Sequence, residues 1–238
     1  MASFVLVHGG LHGAWCWEPL TPALRERGHA VHAMDLPCDD TTADLNDYVQ
    51  AVLRAMAPLA TPPILVGHSM AGLIIPHVAR QAPVAALVYL CSMVAPSSPA
   101  DHAANLDLMS EEMKAGRRSD PLGRSIYDPA VAKSLFFNAV PPALQDWAVG
   151  RLRPQSQQAW RSPPYIDQLP VAPAFAFVAE DDHTTHSPAA QRRMLRDRLG
   201  VEPIVLPGGH SPFLGCPRIL ADHFDRIAAT LAADARGA

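Results

Sequence analysis

The chain has 238 residues, 49% apolar and 18% charged, with a formal net charge of −4. That balance excludes a disordered or fibrous chain, and the lack of a basic cluster or an 18-residue apolar run argues against nucleic acid or membrane as partner. The length suits one α/β domain with a small insertion. Four scattered cysteines without a CxxC pair read as reduced thiols rather than a disulfide framework. The apolar start at residues 2–7 is too short for a signal h-region and runs straight into glycines, so the expected compartment is the cytoplasm.

Short apolar runs alternate with helical patterns along the chain. Residues 3–8 predict a first strand, punctuated by Gly9, Gly10 and Gly13, and residues 17–27 a helix closed by Gly28. A second strand is expected at 30–34, then a helix over 45–59 with Leu45, Val49, Val52, Leu53 and Met56 on one face. Residues 63–66 lead a third strand into Gly67, residues 70–80 read as a helix, and 85–90 as a fourth strand. Regularity lapses between Pro96 and Pro173, where many of the 24 prolines fall. It returns with a strand at 175–179, a helix at 187–199 capped by Ser187, a sixth strand at 202–206 and a closing helix at 218–233.

Strands alternating with helices predict a mostly parallel sheet of about six strands, order 2-1-3-4-5-6, covered by helices on both faces. The irregular middle is too long for a plain loop. It contains helical patterns at 129–137 and 142–152 and is read as a helical lid, residues 96–170, inserted after strand four into a core made of 1–95 and 171–238. Of its apolar residues Leu106, Met109, Met113, Leu135, Phe136, Phe137 and Trp147, most should hold the lid to the body and a minority line a pocket. Phe136 and Trp147 are the candidates for substrate contact.

The segment Gly67-His68-Ser69-Met70-Ala71-Gly72 stands between a strand and a helix and nearly fits G-x-S-x-G, with Ala71 at the fifth position. The turn this motif makes is strained and needs small neighbours. It holds Ser69 at the carboxyl edge of the sheet, where a helix start favours a developing oxyanion. The competing reading is a helix N-cap serine. The loop Gly9-Gly10-Leu11-His12-Gly13 lets backbone approach a substrate, so Gly10 and Met70 are the expected oxyanion donors. Its spacing is not G-x-G-x-x-G and no P-loop lysine follows, which argues against a nucleotide. His8 and His12 fall on a strand end and a loop, a poor arrangement for a metal.

Past the fifth strand come Asp181 and Asp182, either of which could orient a base, with Asp182 preferred by its strand–x–x–Asp position. His210 follows the sixth strand in a small-residue loop. The chain order Ser…Asp…His is that of α/β-hydrolases, in which the imidazole takes the serine proton and the carboxylate fixes its tautomer. His183 and His186 lack a third ligand in register and read as exposed; His68 shapes the serine turn and His77 is structural. In the expected strand order Gly10 and Ser69 meet at the switch between strands one and three, where ligands bind.

The run Val5-Leu6-Val7-His8-Gly9-Gly10-Leu11-His12-Gly13-Ala14-Trp15-Cys16-Trp17 resembles the opening of plant methylesterases and hydroxynitrile lyases and of their bacterial esterase relatives. Gly67–Gly72, Asp35-Leu36-Pro37, Gly209-His210-Ser211-Pro212-Phe213-Leu214 and Arg151-Leu152-Arg153-Pro154-Gln155 fit the same superfamily. The resemblance implies Ser69, Asp182 and His210 as triad and Gly10 and Met70 as oxyanion donors. The sequence departs from the family at positions that bear on the reaction: Ala71 replaces the usual Gly, and Ser211 stands where the lyases carry a lysine that neutralises cyanide. Gly10 likewise stands where they carry Thr. The expectation is therefore a serine carboxylesterase acting on small to medium apolar alkyl or aryl esters, methyl esters included, as monomer or homodimer, with no cofactor and no metal. The alternatives are C–C or cyanohydrin cleavage by the same triad, or a slow-turnover ligand-binding homologue.

Overall fold

A computed structural model describes residues 1–161 and 163–237. The first half comprises β1 (Ser3–Val7), α1 (Leu20–Glu26), β2 (Ala30–Met34), α2 (Leu45–Met56), β3 (Ile64–His68), α3 (Ile75–Ala79) and β4 (Ala86–Leu90). An inserted segment follows, with α4 (Pro99–Asp107), α5 (Glu111–Gly116), β5 (Arg117–Ser119), β6 (Ser125–Tyr127), α6 (Pro129–Phe136) and α7 (Pro142–Val149). The chain closes with β7 (Ala174–Ala179), α8 (Pro188–Leu199), β8 (Ile204–Leu206), α9 (Pro212–Gly215) and α10 (Pro217–Gly237).

The main sheet runs β2-β1-β3-β4-β7-β8, and each neighbouring pair is parallel. Because β5 and β6 form a separate antiparallel hairpin in the insertion, outside the main sheet, this is the predicted order with the last two strands renumbered. This is the α/β-hydrolase fold. Strand periodicity builds its two cores. Phe4, Leu6, Val66, Val88 and Phe177 pack on the side of α1 and α10, while Val5, Val7, Leu65, Leu87 and Val178 pack on the side of α2 and α3. Among the described residues, no helix is long and apolar enough to cross a membrane.

Proline accounts for most departures from the predicted boundaries. The helix expected at 17–27 starts only at Leu20, behind a three-ten turn at Ala14–Trp17. Pro19 cannot donate to continue that turn, whereas Pro22 falls in the first helical turn, where a missing N–H goes unused. The helix expected at 45–59 stops at Met56, since Pro58 follows, and it opens on a reciprocal Asp44–Asp47 capping box. Pro203 delays β8 to Ile204. The single helix expected over 70–80 is split into a three-ten turn, Ser69–Leu73, and the short α3. Pro76 removes the donor that would bond the Gly72 carbonyl and carry one helix through. Ser187 caps α8 by accepting from the Ala190 amide. The hairpin β5–β6 and helices α4 and α5 were not anticipated, because strands of three residues leave no periodicity to read.

Candidate active site

Three residues with side chains adopt positive φ at the carboxyl edge of the main sheet: Leu11 (66°) in the loop after β1, Ser69 (53°) directly after β3, and Cys91 (46°) directly after β4. Such strain persists only where the surrounding structure enforces it, and it collects at functional sites. The enforcement at Ser69 is visible in its neighbours. A Cβ on Gly67 would come 3.0 Å from the Ala71 carbonyl and from Ile75 Cδ1, and one on Gly9 would lie 2.8 Å from Ser69 Cβ and from His68 Nδ1. A Cβ on Gly72 would collide with the Met93 carbonyl oxygen. The methyl of Ala71 instead fits in the core between Ile74, Ile75 and the sheet, with no exposure. The second small residue of this turn is therefore needed at 72 rather than at 71.

His210 and Asp182 meet below this edge. His210 Nδ1 lies 2.9 Å from Asp182 Oδ2 and donates to it, and the two residues are only 4% and 2% exposed. Thr184 donates twice to the other carboxylate oxygen, through its hydroxyl (2.7 Å) and its amide (2.9 Å). Burial raises the cost of the Asp182 charge, but the His210 charge and the hydrogen bonds from His210 and Thr184 outweigh it and hold the carboxyl below its ordinary range. Asp181 points elsewhere: it is exposed, 3.2 Å from His183 Nε2, and accepts from Asn138. With Nδ1 committed as donor, His210 Nε2 keeps its lone pair.

Ser69 and His210 line one cavity of about 130 Å³. As the side chains stand, the Ser69 hydroxyl is not hydrogen-bonded to His210; such pairs often tighten only when substrate is bound. Gly10 and Met70 line the same cavity, and among the described residues no protein acceptor takes the amide N–H of either. The loop carrying Gly10 is held by two imidazoles. His8 donates from Nδ1 to the Gly9 carbonyl (2.8 Å) and accepts from the Leu36 amide (2.9 Å), so its tautomer is fixed. His12 donates to the Gly10 carbonyl at 2.8 Å. Burial pushes the His8 pKa down to about 4 and that of His12 to about 3, which keeps both neutral. His68 donates to the His210 carbonyl oxygen (2.9 Å) and lies edge-on to Phe213, fixing the loop that carries His210. Burial, with His210 nearby, pushes its pKa well down. His77 braces Pro164 through the Pro164 carbonyl.

The rest of the cavity comes largely from the insertion. Met109, Met113, Tyr127 and Phe136 line it with Met93 and Leu11, and Arg117, Ser125, Gln155 and Gln157 supply its polar part. Phe136 was expected there. Trp147 was also expected there but is not: it packs edge-on against Trp15 (5.3 Å between ring centres), with the Arg151 guanidinium 4.5 Å from its ring centre. Leu135 and Phe137 are fully buried in the core, while Leu106 is exposed. Met109 and Met113, named among the apolar residues of the lid, do line the cavity, whereas sequence reading missed Thr184 and the lining by Met93, Tyr127 and Gln155. Of these only Thr184 left a signal, the D-x-T spacing of a side-chain turn closed on Asp182.

The chain matches the alpha/beta hydrolase family over residues 4–223. It belongs to that family. Among relatives within it, methylesterase 2 of Arabidopsis thaliana is 42% identical over 80 residues, covering 29% of this chain and 30% of the relative. A probable esterase of Oryza sativa subsp. indica, PIR7A, is 27% identical over 262 aligned positions, covering 95% of this chain and 96% of the relative. For relatives such as the methylesterase, this hydrolase thus matches about three tenths of their length. A solved pyrethroid hydrolase from Sphingobium faniae JZ-2 superposes with a TM-score of 0.81 at 25% identity, covering 99% of both chains.

Proposed function

We propose that this alpha/beta hydrolase is a serine carboxylesterase acting on small, largely apolar esters through an acyl-enzyme. The observation that carries the reading is the buried Asp182–His210 pair, which leaves His210 Nε2 bare in the cavity where Ser69 stands at φ 53°. In the proposed reaction His210 takes the Ser69 proton as Oγ attacks the ester carbonyl, and the free amides of Gly10 and Met70 receive the oxyanion. His210 then protonates the departing alcohol. Water, deprotonated by the same nitrogen, releases the acid and restores Ser69. Asp182, held by Thr184, keeps Nδ1 protonated throughout and stabilises the imidazolium.

The four methionine and aromatic side chains that the insertion adds to the cavity support its role as an apolar lid, and a volume of about 130 Å³ favours short alkyl or single-ring groups. Ser211, directly after His210, offers a buried neutral hydroxyl, without a partner among the described residues, in place of a lysine that could receive cyanide. That supports ester hydrolysis over cyanohydrin cleavage. The names of the relatives, a methylesterase, a probable esterase and a pyrethroid hydrolase, agree with ester chemistry.

The test is a panel of methyl and p-nitrophenyl esters of increasing acyl length. Turnover should peak at short or single-ring acyl groups and fall by about 10⁴-fold or more in Ser69→Ala. Equal turnover by Ser69→Ala, or cyanide release with no ester cleavage, would refute the assignment.

A further inference from the structure

Gln155 carries a feature that the proposed reaction does not use. It is 5% exposed and lines the cavity, yet its Oε1 is buried without a hydrogen-bond partner among the described residues. An acceptor left in that state is costly, and buried polar atoms are as a rule paired.

The side chain is not free to relieve this by turning over. Its backbone is pinned on both sides to Ser125, by N–H···O bonds of 2.8 and 2.9 Å. Its Nε2 donates to the Tyr48 hydroxyl (3.0 Å) and to the Ser156 carbonyl (2.9 Å). A carbonyl can only accept, so the amide nitrogen must face Ser156 O. The flipped amide would set two acceptors against each other. Both donors are thus spent on the protein, and Oε1 is left as the unpaired end of an amide at the cavity wall.

Its position says what it can meet. Oε1 lies 3.6 Å from where a Cβ of Gly10 would stand, a point equally 3.6 Å from Met70 Sδ. It therefore sits beside Gly10, whose amide is one of the two proposed to receive the oxyanion, and next to the Met70 side chain. An acceptor there repels a bare oxyanion, because the negative end of its dipole faces developing negative charge. The conflict is removed when a donor on the substrate, one bond away from the reacting carbonyl, lies between them. A hydroxyl on the carbon next to the ester carbonyl has that reach. Donor side chains do line the cavity, Arg117, Ser125, Tyr127 and Gln157 among them, but among the described residues none of them bonds Oε1.

We propose that Gln155 Oε1 is a specificity-determining acceptor for a hydroxyl on the carbon adjacent to the ester carbonyl, so that the enzyme prefers 2-hydroxy esters over esters of the same shape without a donor. This rests on the esterase reading above and names its substrate class.

The experiment compares kcat/KM for the separate enantiomers of methyl 2-hydroxybutanoate and methyl 2-fluorobutanoate, and for methyl butanoate. Fluorine matches the hydroxyl closely in size and electron withdrawal but cannot donate. The wild type should favour the better hydroxy enantiomer over either fluoro ester by about 10- to 100-fold. Gln155→Met should bring that ratio within about threefold while the fluoro ester is still hydrolysed. Tyr48→Phe keeps the buried ring but loosens the Gln155 amide, and should lower the ratio severalfold even if Gln155→Met does not fold. A wild-type ratio within threefold, or one that survives both substitutions, overturns the proposal while leaving the esterase standing. If none of the three esters nor p-nitrophenyl acetate is hydrolysed, the esterase reading fails instead. Calorimetric binding of the same esters to Ser69→Ala then decides: a tenfold preference for the hydroxy ester upholds the acceptor role, and equal affinities reject it.

Discussion

At the level of single side chains, the site turns on which of two adjacent carboxylates faces the base. Asp182 is buried and bonded to His210, whereas Asp181 is exposed beside His183. Asp182→Asn should lower kcat by roughly 10³- to 10⁴-fold through the wrong imidazole tautomer, while Asp181→Asn should stay within about twofold. Steady-state kinetics on one short ester separates the two, and equal losses would contradict the assignment. Thr184 holds the Asp182 carboxylate, and its hydroxyl also lies 3.1 Å from His210 Nδ1. Thr184→Val removes one donor from that carboxylate and should cost about 5- to 10-fold in kcat with little change in KM. The sequence order pointed to Ser69, Asp182 and His210 because each follows a strand at the sheet's carboxyl edge. It could not separate Phe136 from Trp147, because both are aromatic residues on insertion helices, and only the packing of Trp147 against Trp15 and Arg151 removes it from the cavity.

The same contrast between legible and hidden holds for the elements. Apolar runs such as residues 3–7 and 86–90 declare themselves, since buried parallel strands must be apolar on both faces. The split between the turn at Ser69–Leu73 and α3 was masked by apolar periodicity that continues across Pro76, and the hairpin β5–β6 is too short to show a period. Gly72, where the chain after β4 presses against the turn, makes a sharper prediction than the motif position at 71. Gly72→Ala should abolish activity and strongly destabilise the fold, because its methyl meets the Met93 carbonyl. Ala71→Gly should cost only about 1 kcal/mol and keep activity, as read by thermal melts alongside an ester assay. The insertion is latched to the core by Arg153, whose amide bonds the Leu11 carbonyl (2.7 Å) and whose guanidinium reaches Asp39 (2.6 Å) and Asp35 (3.2 Å). Arg153→Ala should destabilise by about 1–2 kcal/mol and raise KM more than it lowers kcat, because it loosens the wall that shapes the cavity.

For the molecule as a whole, the buried imidazoles tie stability to pH. His8 and His12 carry folded pKa values near 4 and 3 because burial penalises their charge, while the unfolded chain protonates them near 6.5. The unfolded state therefore binds more protons below about 6.5, and stability is lost as pH falls from there toward 4. The loss should reach several kcal/mol, on the order of what two such shifts imply. Urea midpoints should drop steadily between pH 6.5 and 4.5, above the range in which most carboxylates titrate; a flat profile would contradict neutral burial of these rings. Their neutrality matters because they hold the glycine loop that brings the Gly10 amide beside Ser69. Everything proposed for the reaction depends on that one hydroxyl being made nucleophilic. The direct measurement is mass-spectrometric mapping of the adduct formed with a fluorophosphonate. The account predicts a single adduct on Ser69, formed orders of magnitude more slowly in His210→Ala and absent in Ser69→Ala. Folded protein that stays unlabelled, or an adduct on any other residue, would contradict it.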